Sequence, residues 1–320
     1  MLRTVLVRIA WSLFAILAST VIVFVILRAL PGDPVLARLG ASTQIDDETL
    51  QQLREQAGIT GPLWQQYLTW IGNAARGDLG TSYFSQQPVT DLVAERVPIT
   101  LELTFIAVVM MLVVSIPLAV AAAARPGGAI DRVVAASTSA GMSVPAFVYG
   151  IVLILVCSLW TGLLPARGYV APDADLGENL LLMLLPALTL ALVAAPQLTR
   201  FLRASMIELW TADFVRTARG KGDSRARVLL RHILPNALVP FLTRLGVIIG
   251  YTLGGVVVVE YMFGIPGLGS LALDAANKRD YAVLQGVVLV IVVLFILTTV
   301  ITDIVHRLSD PRLRKESAHV

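Results

Sequence analysis

The stretch LELTFIAVVMMLVVSIPLAVAAAA, residues Leu101–Ala124, carries one charged side chain, Glu102, near its start. A bilayer's hydrocarbon core takes about 20 mainly apolar residues to cross as a helix, so this stretch reads as a transmembrane span. Further runs at Ile9–Leu30, Val133–Trp160, Leu180–Leu198, Leu238–Val259 and Leu284–Val305 have similar length and character. The expected fold class is therefore an all-α integral membrane protein with six transmembrane helices, over about 9–30, 101–124, 133–160, 180–198, 238–259 and 284–305. Composition points the same way. Hydrophobic residues make up 56% of the 320-residue chain and charged residues 15%, against roughly 45–50% and about 25% in soluble domains, which excludes a soluble enzyme.

The first run follows Arg3 and Arg8, as a signal peptide would. It is longer than a signal peptide's apolar region of about 7–15 residues and ends in Arg28-Ala29-Leu30-Pro31-Gly32, without a small-x-small cleavage site. An uncleaved span is expected. Pro117, Pro145, Pro186 and Pro196 lie inside runs, where neighbouring helices can satisfy the backbone groups that proline frees, so kinked helices are expected.

Lys and Arg beside the spans set orientation. With the N-terminus inside, the inner segments hold Arg3 and Arg8, Arg125 and Arg132, a dense group from Arg200 to Arg231, and Arg307, Arg312, Arg314 and Lys315. The short outer segments hold Arg167, Lys278 and Arg279. Both termini are thus expected in the cytoplasm, and the formal net charge of +3 reads as a topological signal with no nucleic-acid partner implied. Cys157 is the single cysteine, so no intrachain disulfide is possible. His232, His306 and His319 have no metal-ligand spacing.

Residues 31–98 form the one long outer segment and are expected to be a structured extracytoplasmic insert. Asp46-Asp47-Glu48 supplies negative charge at a helix start, Leu50, Leu53 and Ala57 follow at helical spacing, and Gly58 is a stop. Pro62 suits the start of a second helix, with Leu63, Tyr67, Trp70 and Ile71 as its apolar stripe, and Trp64 and Trp70 suit a membrane interface.

The inner segment 200–236 is patterned beyond a plain turn. Thr211-Ala212-Asp213 offers capping chemistry, Phe214 to Arg219 a first helix, Gly220 and Gly222 a break, and Asp223 or Ser224 a second cap. The second helix is expected to end at Pro235. Two short basic helices joined at Gly222 would form a docking element. On the outer side, Glu260-Tyr261-Met262-Phe263-Gly264-Ile265-Pro266-Gly267-Leu268-Gly269 has the glycine and proline density of non-helical backbone lining a cavity. Glu260 reads either as an exposed terminal acid or as a pathway residue.

Gly222, nine residues, then His232-Ile233-Leu234-Pro235 is similar to the second half of the EAA loop in permease subunits of bacterial ABC importers. The first half departs from it, with Arg216-Thr217-Ala218 where Glu-Ala-Ala would stand. Phe214 to Gly222 nevertheless resembles the variant of the dipeptide/oligopeptide branch. So do Arg28-Ala29-Leu30-Pro31-Gly32-Asp33-Pro34, Gly77-Asp78-Leu79-Gly80-Thr81-Ser82, the 260–269 stretch and Asp310-Pro311-Arg312, in the expected order.

This resemblance implies a type I ABC importer (MetI-like) transmembrane domain in the bacterial cytoplasmic membrane, working by alternating access. The partners it implies are a second, homologous permease, two cytoplasmic ATPases and an extracytoplasmic substrate-binding protein, besides membrane lipid. The implied ATPase-coupling residues are Arg216, Thr217, Ala218, Arg219, Lys221, Gly222, His232, Leu234 and Pro235. Glu260, Phe263, Pro266, Gly267 and Gly269 would belong to the path or an outer gate. No cofactor is expected on this chain, and the lack of a G-x-x-x-x-G-K-[ST] loop assigns ATP and Mg to partner subunits. Di- or oligopeptides are the implied cargo, although similar permeases carry nickel chelates, glutathione or haem.

Two other functions were open to the sequence. An ion-coupled secondary transporter would put ionisable groups at mid-span, whereas Glu102, Arg244 and Glu260 stand near the ends of the runs. A membrane enzyme would need a catalytic set, and no H-E-x-x-H pair or Ser/His/Asp set at a common depth occurs.

Overall fold

The computed structural model describes residues 2–29, 46–56 and 59–309. The readings at 30–45, at Ala57 and Gly58 and at Asp310-Pro311-Arg312 lie outside the described residues, as does His319. Among the described residues the regular elements are helices, apart from one antiparallel bridge between Thr81 and Pro88. The helices are α1 (Leu2–Ala29), α2 (Asp47–Gln56), α3 (Leu63–Ala74), α4 (Val89–Ala124), α5 (Ala129–Gly141), α6 (Ala146–Trp160), α7 (Leu176–Leu209), α8 (Asp213–Gly220), α9 (Arg225–Phe263), α10 (Leu268–Lys278) and α11 (Tyr281–Ser309).

Five of them, α1, α4, α7, α9 and α11, are long and apolar enough to cross a membrane, and six spans result if α5 and α6 together make one. The protein is a multi-pass membrane protein by this measure. The run expected as a single span over 133–160 is broken, because α5 and α6 meet at a bend of 103°. Pro145 explains the break. A residue before proline is pushed out of the helical region and proline has no N–H to continue the ladder; Pro145 sits extended (φ −63°, ψ 150°) at the N-cap of α6. Pro186, Pro196 and Pro240, by contrast, are carried inside continuous helices.

The chain divides into two compact units. One comprises Met1–Thr100 and Pro266–Ile296. Its core gathers Leu79 from the insert, Val89 and Val93 from the first turns of α4, Leu268 and Ala275 from α10, and Ala282, Val283 and Val287 from α11. The Gly77–Ser82 motif acts here as an anchor. Gly77 and Gly80 take φ of +89° and +90°, the left-handed region that glycine enters without steric cost, and Leu79 between them is turned into the core. The Ser82 hydroxyl donates to Asp280 Oδ2 (2.6 Å), and the Tyr83 N–H to Asp280 Oδ1 (3.2 Å).

In the same unit α3 lies against α1. The Tyr67 and Thr20 hydroxyls are 2.9 Å apart and Arg28 Nε donates to Gln66 Oε1 (3.1 Å). The same helix leaves Leu63, Trp64 and Leu68 exposed. Asp46 caps α2 through the Thr49 N–H (3.2 Å), and the Thr49 side chain first, then this N–H, holds its carboxyl below the usual range. The helix starts expected near 46–48 and Pro62 are therefore present.

The other unit comprises Leu101–Ile265 and Leu297–Val320. In lipid, helices associate by close packing more than by hydrophobic driving force, which favours small residues at contacts. The α7–α9 pairing at the centre of this unit follows that rule: Ala187, Ala191, Ala194 and Ala195 of α7 and Gly246 and Gly250 of α9 are buried. Gly246 is obligatory for close approach, since a Cβ there would stand 2.1 Å from Thr302 Cγ2. α5 joins α7 through a charge pair whose carboxylate is buried. Arg203 donates to both carboxylate oxygens of Asp131, Nη2 to Oδ2 at 2.8 Å and Nε to Oδ1, while the Gly127 N–H donates to Oδ2 (2.9 Å).

Candidate functional site

The segment read as inner begins later than its sequence suggests, because α7 continues without interruption to Leu209. The helical stretch after residue 198 keeps its apolar stripe, with Leu202 and Met206 fully buried. A turn at 210–212 then leads into α8. Its N-cap is Ala212 with no side-chain cap, and the Thr211 hydroxyl turns back to the Glu208 carbonyl (3.0 Å), so the side-chain cap expected from Thr211-Ala212-Asp213 is absent. Asp213 still supplies negative charge in the first turn, where the helix dipole favours it.

The break falls where the glycines predict it. Lys221 closes α8 and Gly222 takes φ +89°, a conformation strained for residues with a Cβ. Ser224 caps the next helix, its Oγ accepting from the Arg227 N–H (3.4 Å). Asp223 stays in the turn and braces it: Arg227 Nη1 donates to Oδ1 (3.1 Å), and His232 Nε2 lies 3.1 Å from Oδ2. The Arg227 bond first, then His232, holds the Asp223 carboxyl below its ordinary range.

Pro235 does not end the second helix. The chain runs from Arg225 to Phe263 as one helical stretch, with a π-helical segment at Val228–Ile233, separated from Pro235 by Leu234 alone. Proline removes one i→i−4 bond and crowds the carbonyl four residues back. A wider i→i+5 turn at that place leaves room for the ring and lets the helix continue. The second arm of the loop is thus the extended start of α9.

The residues expected to couple to an ATPase fall into two groups. Val215, Ala218, Val228, Leu229 and Ile233 are buried and hold α8 against the start of α9. Arg216, Thr217, Arg219, Lys221, Gly222 and Pro235 are exposed, while His232 and Leu234 are half-buried. Phe214 and Leu230 add exposed apolar surface. This is a helix-turn-helix with a buried apolar seam and a basic outer side, suited to contacts with a protein partner. Arg216 faces Asp213 at 3.8 Å, an exposed pair of little energetic weight.

Trp210 is the residue that sequence reasoning missed. Its indole N–H donates to the Ala123 carbonyl (2.8 Å), and the Arg219 and Arg225 guanidiniums lie 5.0 and 4.9 Å from its ring centroid. Arg225 Nε donates to the Ala124 carbonyl (2.9 Å). A tryptophan before the capping residues was the available signal.

The second set divides at the boundary between the units. In one, Glu260 and Phe263 are buried on α9, so Glu260 is not an exposed terminal acid. Gly264 (φ +66°) ends the helix, and the Gly168 N–H donates to the Phe263 carbonyl (3.0 Å). Tyr169 beside it donates to Glu102 Oε2 (3.2 Å), and burial with the Glu102 charge pushes its phenol up to about 12. In the other unit, Gly267 and Gly269 are buried and Pro266 half-buried. There Arg96 Nη1 donates to the Pro266 carbonyl (3.0 Å), and the Leu268 N–H donates to Thr100 Oγ1 (2.8 Å). Non-helical backbone between α9 and α10 is confined to 264–267.

Residues 115–315 match the family described as binding-protein-dependent transport system inner membrane component, and residues 1–104 match the N-terminal component of such transport-system membrane proteins. The chain belongs to this family of binding-protein-dependent permeases. The permease is 36% identical to the oligopeptide transport system permease protein AppB of Bacillus subtilis, over 96% of this chain and 97% of that one. It is 37% identical to the glutathione transport system permease protein GsiC of Escherichia coli, over 98% and 99%. A probable peptide ABC transporter permease, y4tP of Sinorhizobium fredii, is 35% identical over 95% and 96%. Among solved structures, an inward-facing form of the MetNI methionine ABC transporter resembles the permease's fold, with a TM-score of 0.58 and 19% identity over 68% of this chain and 96% of that one.

Proposed function

We propose that this chain is the transmembrane permease subunit of an ATP-driven ABC importer that moves short peptides, including glutathione-like peptides, inward by alternating access. The relatives named for oligopeptide, peptide and glutathione transport support that cargo class. In this reading α5 and α6 together form one of six spans, both termini are cytoplasmic, and the membrane is the bacterial inner membrane. A second, homologous permease completes the path, two cytoplasmic ATPases bind ATP and Mg, and an extracytoplasmic binding protein delivers the peptide.

The single observation that carries the energy-coupling assignment is the loop at 213–235, an exposed basic helix-turn-helix pivoting on Gly222 at φ +89°. ATPase closure would act on this loop, and α7 and α9, continuous on either side of it, would carry the motion into the membrane as a rigid-body switch. Arg216, Lys221 and the exposed Phe214 supply the contacts, Ala218 and Val215 the seam.

The test replaces Gly222 with valine in the intact transporter and measures ATPase association and uptake in membranes. Both should fall, because a β-branched residue at that φ is strained by about 1–3 kcal/mol. Normal assembly with normal uptake would remove the docking assignment. The ligand bound by the co-purified binding protein, identified by mass spectrometry, tests the cargo: a peptide is expected, and a metal chelate or haem would refute the peptide reading.

A further inference from the structure

The coupling loop is fastened to a third helix besides the two it joins. α4 ends at Ala124, and the last four carbonyls of any helix lack intrahelical partners. Two of them here are taken by the loop, Ala123 by the Trp210 indole N–H (2.8 Å) and Ala124 by Arg225 Nε (2.9 Å). Arg225 also places a cation at the negative end of the α4 dipole, where it is favoured.

The indole ties the loop to itself as well. Trp210 precedes α8, Arg219 stands in its last turn and Arg225 opens α9, and both guanidiniums pack over the one indole at 5.0 and 4.9 Å. Guanidinium–indole stacking is among the stronger cation–π pairings. Both arms of the helix-turn-helix therefore converge on one ring, and that ring is bonded to the end of α4.

We propose that Trp210 and Arg225 are positioning residues that make α4 a third lever of the coupling loop, so that loop displacement drives α4 together with α7 and α9. The proposal rests on the reading of 213–235 as the ATPase-coupling loop. Ordinary capping of a helix end would need one donor of any kind; here the donors come from both arms and are held by a shared ring. The consequence is that the end of α4 and the start of α9 move as one body through the ATP cycle.

The experiment uses the complete transporter with its partner subunits in lipid nanodiscs, with Cys157→Ser as background and spin labels at Ala121 and Ala226, both exposed. Distances between the labels are measured without nucleotide and after trapping with ATP and vanadate. With Trp210 and Arg225 in place, the two states should give one unchanged distance. In W210F/R225K, which keeps ring and charge but removes the indole donor and the guanidinium, the distribution should broaden and differ between states. R225K alone should show a smaller effect of the same kind, and nucleotide trapping should persist.

A shift of more than about 5 Å between states in the parent, the scale of a one-turn slip, would overturn the proposal. So would a W210F/R225K distribution identical to the parent's. Loss of the ATPase subunits from W210F/R225K with the distance unchanged would also overturn it, by making the pair docking residues. Gly222→Val, assayed in parallel for ATPase retention, tests the underlying loop reading separately from the label distance.

Discussion

Asp131 and Arg203, 72 positions apart, form a two-pronged ion pair that joins the first turn of α5 to α7, with the Asp131 side chain 5% exposed and that of Arg203 25%. The pair stands where the loop side of both helices meets, and the Gly127 N–H completes the carboxylate's shell.

Breaking this pair should be costly because it strands a partly buried cation. Asp131→Ala should lower stability by about 2–4 kcal/mol, somewhat below the cost for a fully buried pair. Thermal unfolding in detergent reads the loss. Asp131→Asn with Arg203→Gln should be less destabilised than the sum of the two single changes, and strict additivity would show that the pair is not coupled.

Gly246 and Gly254 should respond in opposite ways to alanine. A Cβ at Gly246 meets Thr302 at 2.1 Å, whereas one at Gly254 meets nothing within 4 Å. Gly246→Ala should destabilise the isolated chain by about 1–3 kcal/mol through overpacking. Gly254→Ala should be neutral or stabilising by up to about 1 kcal/mol through helix propensity. Equal melting shifts for the two would contradict the packing of α9 on the end of α11.

The Asp223 brace has a defined pH dependence. Its folded carboxyl titrates below the ordinary value of 3.8 because Arg227 and His232 favour the anion. A depressed carboxyl stabilises above its unfolded pKa and loses that contribution as pH falls through the folded value, so the brace is complete at neutral pH and released only below 3.8. Asp223→Asn should speed amide exchange at residues 222–227 at pH 7. Unchanged protection would mean that the turn does not depend on the carboxylate.

Asp280 organises the anchor around Gly77–Ser82, accepting from the Ser82 hydroxyl and the Tyr83 N–H, while the Val283 N–H lies 3.4 Å from its Oδ1 at the start of α11. Asp280→Ala should cost about 2 kcal/mol by leaving buried donors unpaired and removing a cap. Faster proteolysis within 77–88 is the expected readout, with Ser82→Ala giving a smaller effect.

By itself the sequence determined the apolar runs, the helix starts near Asp46 and Pro62, and the pivot at Gly222. Each depends on a local property: length of apolar sequence, the charge or φ preference of one residue, and the freedom of glycine at positive φ. Only the tertiary structure decided the rest. Pro145 breaks a span while Pro235 does not, because the backbone can widen into a π turn before Pro235 and the α5–α6 connection has no such continuation. Arg203, Arg225 and Arg219 all count equally as inner-side charge in the sequence. What separates them is contact with distant partners, Asp131, the Ala124 carbonyl and the Trp210 ring. Such pairings join residues up to 101 positions apart, and their identity follows from how packed helices bring their ends together, which no local pattern encodes.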